Sequence, residues 1–302
     1  MFSPFVPRPE HAPRSSSVPD GLRLRWLGTA GHVLSGARTT VLLDPFLTRP
    51  SLLRTATMPL EPTPDLWYHR IPPRVDAVLV GHSHYDHLMD APIIARLTGA
   101  MIVGSASTAA FARAAGVAED RIVVVPPDGR ELTIGDATIR FVPSLHGRIV
   151  AGRVPFPGEV AGVPHLPARL WDYRMGGAFG VRVTLDGVRV YHNGSADLID
   201  AEIEGSPADV LLVGLAGRQG TRDYLSRLVR LLSPGLVVPT HHDAFFAPLE
   251  AGARLLPRVD FDGFLTEMKR LAPAARVITP GYEDVAIVPR DGRVGDAVLV
   301  SA

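Results

Sequence analysis

The sequence has no cysteine. Disulfides and thiolate metal sites are excluded, so any metal ion has to be held by histidine and carboxylate. Lys269 is the only lysine, and arginine carries the rest of the positive charge. There is no net charge, because Lys+Arg and Asp+Glu both total 31. No global field therefore favours nucleic acid or an anionic membrane. No apolar run is long enough to span a membrane. The N-terminal stretch lacks the apolar core of a signal peptide and is broken by Pro4, Pro7, Pro9, Pro13 and Pro19. These absences point to a soluble, cytoplasmic protein with a flexible tail over 1–20 and a single domain over 21–302.

What is present is a large apolar complement. Of 302 residues, 46% are hydrophobic and 21% charged, enough for a substantial core and too apolar for global disorder. Strands are expected at 22–27, 39–43, 75–80, 101–104, 122–125, 209–213, 236–238 and, closing the chain, 276–278. Two hairpins are signalled, one around Gly135-Asp136-Ala137 and a stronger one at Asp186-Gly187 between 179–185 and 188–191. Helices are expected at 107–115, 221–232 and 261–271. Strands in hairpins mixed with distributed helices give an α/β (α+β) chain. The expected architecture is two packed sheets covered by helices, an αββα four-layer sandwich.

The chemistry concentrates in Gly81-His82-Ser83-His84-Tyr85-Asp86-His87-Leu88-Met89-Asp90. This segment follows the expected strand 75–80 and precedes a helix start at Asp90-Ala91-Pro92. Asp90 is a candidate N-cap, and Pro92 costs no intrahelical bond in a first turn. In extended backbone, residues two apart point the same way, so His82 and His84 can reach one metal. Asp86 and His87 lie where the chain turns, and can face a neighbouring position. Three more loops directly follow strands: Pro143 to Gly147 with His146, His192 to Asp197, and Pro239 to Asp243 with His241 and His242. Four strand ends thus converge on one edge.

At these residues the chain resembles the metallo-β-lactamase superfamily, whose signature is His-x-His-x-Asp-His. It is similar above all to the branch holding ascorbate-6-phosphate lactonase-like proteins and N-acyl-phosphatidylethanolamine phospholipase D. Trp26-Leu27-Gly28 and Leu43-Asp44-Pro45-Phe46 carry further family features. The resemblance implies a first metal on His82, His84 and His146 and a second on Asp86, His87 and His241. It implies that Asp44 hydrogen-bonds a ligand histidine and fixes its orientation. His242 is then a neighbour or a substrate contact. The family bridges its metals with an aspartate where Ser195 stands here. Asp197, two residues on, either supplies that bridge or caps the segment 198–202, and without a bridge the second ion binds more weakly.

The implied activity is that of a metal-dependent hydrolase, with Zn2+ in one or two copies and Fe or Mn as substitutes. Zn2+ lowers the pKa of bound water to about 7, making hydroxide available at neutral pH. Asp86 would orient that nucleophile or take its proton. The bond cleaved in the small-molecule substrate, whether ester, lactone, amide or phosphodiester, stays open. So do an iron-dependent oxidoreductase on the same fold and a non-catalytic metal-binding relative. The neutral charge and lack of a basic stripe disfavour a nuclease. Two long loops remain. Pro45 to Arg74 holds Trp67, Tyr68 and His69. Gly147 to Gly177 holds Arg148, Arg153, Arg169 and Arg174 among aromatics, and is expected to overhang the metal edge. Its arginines suit phosphate or carboxylate binding, and the loop is expected to set substrate choice without affecting metal binding.

Overall fold

The computed structural model describes residues 20–149, 151–290 and 293–301. The expected tail therefore lies, apart from Asp20, outside the described residues. The chain runs β1 (Gly21–Gly28), β2 (Gly31–Ser35), β3 (Thr40–Leu43), α1 (Leu52–Thr57), α2 (Pro64–Trp67), β4 (Ala77–Leu79), α3 (Tyr85–Leu88), α4 (Ala91–Thr98), β5 (Met101–Gly104), α5 (Ala106–Ala114) and β6 (Ile122–Val124). It continues through β7 (Arg130–Ile134), β8 (Ala137–Pro143), β9 (Phe179–Leu185), β10 (Val188–Asn193), α6 (Asp200–Ile203), β11 (Val210–Gly214), α7 (Tyr224–Leu232), β12 (Leu236–Thr240), α8 (Phe261–Leu271), β13 (Arg276–Val277), β14 (Asp284–Pro289) and β15 (Val298–Ser301).

These strands form two sheets, ordered β15-β14-β1-β2-β3-β4-β5-β6 and β13-β12-β11-β10-β9-β8-β7. The αββα sandwich is visible in how the buried apolar residues divide. One cluster, including Leu24, Val41, Leu79, Phe141, Val183 and Leu212, fills the space between the sheets. A second, including Leu42, Val78, Ile94 and Phe111, lies between the first sheet and its helices. A third, including Leu211, Val213, Leu228 and Phe264, lies between the second sheet and α7 and α8. Leu42 and Leu43 belong to different clusters because adjacent residues on a strand face opposite layers.

Local chemistry accounts for the elements. The parallel strands β4 and β11 are buried throughout, so they read as unbroken apolar runs. β8 keeps a polar-out alternation, with Thr138 and Arg140 exposed between buried Ala137, Ile139 and Phe141. The Asp186-Gly187 turn has positive φ at both residues, the geometry a two-residue hairpin requires. Helix α7 buries Tyr224, Leu225, Leu228, Leu231 and Leu232, one stripe of a 3.6-residue repeat.

Three expectations are corrected. The chain does not close at 276–278: β14 and β15 return to the first sheet, where β14 pairs antiparallel with β1. β2, absent from the sequence reading, pairs between β1 and β3. Asp90 occupies the N-cap position of α4 but makes no side-chain cap. Its carboxylate instead accepts from Leu47 N and Thr48 N, at 2.6 and 2.8 Å, and so ties the segment after β3 to the start of α4.

Candidate metal centre

The loops after β3, β4, β8, β10 and β12 meet at one edge of the sandwich. After β4, the backbone of Gly81 donates to Asp44 Oδ1 at 2.6 Å, and Ser83 N donates to Met175 O. These bonds fix the extended segment in which His82 and His84 alternate. The next four residues wind into α3, which turns Asp86 and His87 toward an adjoining position.

Two ligand groups result. His82, His84 and His146 each offer one atom, all within 4.8 Å of one another, and Asp86, His87 and His241 do the same. The rings of His82 and His87 are 3.8 Å apart between centroids, so the two groups adjoin. The six residues that the resemblance assigned to two metals are thus brought together in the expected threes. Asp197 is in neither group. Its Oδ1 accepts from Leu198 N at 2.8 Å and lies 3.8 Å from Arg227. Nor does it cap a helix, since α6 begins at Asp200 with Ile199 before it. Ser195 is buried, donates its hydroxyl to Leu145 O at 2.9 Å and accepts Gly147 N on its carbonyl. It therefore holds the His146 loop.

The hydrogen bonds orient the rings, and within the second group His241 Nε2 lies 3.2 Å from Asp86 Oδ2. His84 Nε2 lies 2.9 Å from Pro155 O, and His146 Nδ1 lies 2.8 Å from Gly147 O. Asp44 Oδ2 lies 2.9 Å from both His87 Nδ1 and His192 Nε2. His82 Nε2 and His241 Nδ1 are buried without a hydrogen-bond partner among the described residues. Unpaired buried imidazole nitrogens are costly, and a divalent cation held by these groups would satisfy them. The donors suit a borderline ion such as Zn2+, and Fe or Mn also accept them.

Electrostatics agree with ligation. Burial and the neighbouring imidazoles push His82 well down and bring His146 to about 3, so both are neutral. Burial works against charge on Asp86, but His87 and the His241 hydrogen bond outweigh it and hold the carboxyl well below the usual range. Asp44 is likewise buried, and His87 and His192 keep it ionised. On His87, burial is overcome by Asp44 and Asp86, which raise its pKa. Asp44 and His241 both hold positive φ, 41° and 51°, a backbone strain that persists only where the surroundings over-determine it.

For His241 that determination comes from a buried network that the sequence did not reveal. Thr29 O accepts His241 N and Thr240 Oγ1, both at 2.6 Å, while Thr29 N donates to Asp243 Oδ1 at 2.8 Å. Asp243 Oδ2 pairs with Arg49 at 2.5 Å and accepts from Tyr282 at 2.7 Å. Gly28 beside it has φ 89°, and a Cβ there would run into the Arg49 guanidinium. His242 is fully buried and stacked on Trp26 at 4.6 Å, as a packed neighbour of His241.

Above the ligand groups lies a cavity of about 240 Å3. Its floor is His84, Asp86, His146 and His241, and its wall includes Leu52, Ile149, Phe156, Leu170, Phe245 and Phe246. The loop 147–177 does overhang the metal edge, as expected. It is not independent of the ligands, however, because Pro155 O holds His84. The 45–74 segment reaches the cavity through α1, whereas Trp67 is buried against Thr48 and His69 is exposed. Phe245 and Phe246 belong to no motif or periodic pattern, and nothing in the sequence marked them.

A two-sheet sandwich with histidines and an aspartate gathered at its strand ends is the metallo-β-lactamase fold. The chain belongs to the β-lactamase superfamily domain family, whose model matches residues 23–241. It is 28% identical over 236 residues to the UPF0173 metal-dependent hydrolase of Thermococcus onnurineus, spanning 74% of this chain and 86% of that protein. Among solved structures it resembles Igni18, a metallo hydrolase from Ignicoccus hospitalis, with TM-score 0.58 and 18% identity over 93% of this chain and 99% of that one. It also resembles CmlA, a diiron beta-hydroxylase from Streptomyces venezuelae, with TM-score 0.50 and 17% identity over 75% and 46%. At these identities the structural likenesses carry the fold alone. No helix among the described residues is long and apolar enough to cross a membrane.

Proposed function

We propose that this protein is a cytoplasmic, metal-dependent hydrolase acting on a small molecule. The observation that carries this reading is the pair of adjoining ligand groups at the floor of a cavity. His82, His84 and His146 would hold one ion and Asp86, His87 and His241 a second, with Zn2+ the first expectation and Fe or Mn the substitutes. A bound divalent ion supplies Lewis acidity and lowers the pKa of water.

The chain's own residues do the rest. Asp86 is the only carboxylate lining the cavity among the described residues, and it is ionised. It can orient a water and accept its proton. Asp44, placed against His87 Nδ1, fixes which nitrogen of that ring would be left to hold an ion. The Pro155 carbonyl does the same for His84. The wall beside these residues is largely apolar. With Ser195 at the bridging position and Asp197 turned to Arg227, the two ions are expected to bind with unequal affinity.

The test is metal analysis of protein purified without added metal, followed by calorimetric titration of the metal-free protein. One or two ions per chain are expected, bound with unequal affinities. His84→Ala should lose the ion of the first group. Unchanged stoichiometry in that variant would overturn the assignment.

A further inference from the structure

The hydrolase reading leaves the substrate class open, and the following inference rests on that reading. The arginines of the 147–177 loop were the sequence's candidates for an anion site. None of them lines the cavity above the ligand groups, and that cavity has no lysine either. Arg148 lines a separate groove with Gly217 and Gln219. Arg153 borders an outer recess. Arg169 donates to Thr57 O and covers the Trp171 ring, and Arg174 donates to Pro157 O.

What faces the ligand groups is mostly apolar, with the hydroxyls of Thr55, Tyr85, Tyr173 and Ser195 as the exceptions. Phe245 and Phe246 come from the loop after β12, Leu52 from α1, and Ile149 and Phe156 from the loop after β8. Leu52 and Ile149 line the cavity yet stay 61% and 48% exposed. Apolar rim surface that the fold itself does not cover marks a place where something else does. The size is informative too. An engineered apolar cavity of roughly 150 Å3 holds benzene, and the one here measures about 240 Å3. It has room for an aryl ring or a six-carbon chain together with the linkage to be cleaved.

We propose that the site takes neutral esters or lactones with an apolar acyl or alkyl part of that size, recognised by the wall, which among the described residues offers no arginine or lysine to a phosphate ester. The reaction needs only water. The oxygen of water bonds to the carbonyl carbon and the acyl C–O bond breaks. One proton of the water passes by way of Asp86 to the departing alkoxide. The products are a carboxylic acid and an alcohol, or a hydroxy acid from a lactone. Binding is set by the wall, with Leu52 and Ile149 as rim residues that determine specificity.

Two binding measurements test this. The first is calorimetry on the protein with its metal content measured, titrated with straight-chain hydroxamic acids from acetyl to octanoyl. Affinity should rise about fourfold per methylene, the value expected for burying a CH2, and level off once the cavity is full. In Ile149→Asp and Leu52→Ser, whose side chains are exposed enough for the fold to be kept, the rise should flatten while the metal content stays. The second is ligand-observed NMR on chelator-treated protein, where toluene should bind, phenyl phosphate should not, and Ile149→Asp should weaken toluene. A flat hydroxamate series in metal-containing protein, or phenyl phosphate bound more tightly than toluene in the metal-free protein, overturns the inference. If the purified protein binds no metal, the hydrolase reading fails by itself, and the toluene comparison still decides this one.

Discussion

Asp44 sits at the end of β3 in a strained backbone conformation and serves three groups at once. Its Oδ1 holds Gly81 N, and its Oδ2 lies between His87 and His192. Replacing it with asparagine keeps the shape but turns one acceptor into a donor facing two ring nitrogens or the Gly81 amide. Asp44→Asn should therefore weaken metal binding by roughly 10–100-fold, the usual cost of removing a carboxylate behind a ligand histidine. Titration of the metal-free variant against the wild type checks this, and equal affinities would show that Asp44 only shapes the turn. The motif at His82 to His87 was legible because ligand spacing is a local property. Asp197 was not, because the choice between a metal and Arg227 is decided by α7, about thirty residues further along the chain.

The segment from β3 to α1 is held by its side chains rather than by a sheet. Asp90 grips its backbone from α4, and Arg49 reaches across to Asp243 behind β12. Both partners of that ion pair are essentially fully buried. Removing one leaves the other as an uncompensated buried charge, which costs about 3–5 kcal/mol. Arg49→Met should lower stability by about that amount in denaturant melts. It should also loosen the His241 turn, since Asp243 anchors Thr29, which in turn holds His241 N. Central strands and amphipathic helices could be read from the sequence because burial pattern and period coincide there. β14 could not be placed, because its partner β1 lies at the far end of the chain and nothing local records the pairing. The directions of the four loop arginines were equally hidden, being set by which carbonyls and rings the folded chain offers them.

Each ligand group draws on both sheets. His82 and His84 follow β4 of the first sheet and His146 follows β8 of the second. Asp86 and His87 belong to the first, and His241 follows β12 of the second. Asp44, after β3, likewise meets His192 on β10. A bound ion therefore ties the two halves of the sandwich, and the unfolded chain has no such preformed site. At free ion one hundred times Kd, the native state should gain about 2.7 kcal/mol. Melting with and without chelator measures this, and coincident curves for protein shown to carry metal would mean that the ions add nothing to the fold.

The order of these ligands along the chain gives the two groups different birthdays. The first is complete when residue 146 has been made, and the second waits for His241. At roughly 5–20 residues per second, the ribosome takes about 5–20 s to cover that interval. During it, the nascent chain already owns every side chain of one ion site, but it has neither β12 nor the Thr29 clamp on His241. The later site can then mature only when β12 joins strands laid down well before it.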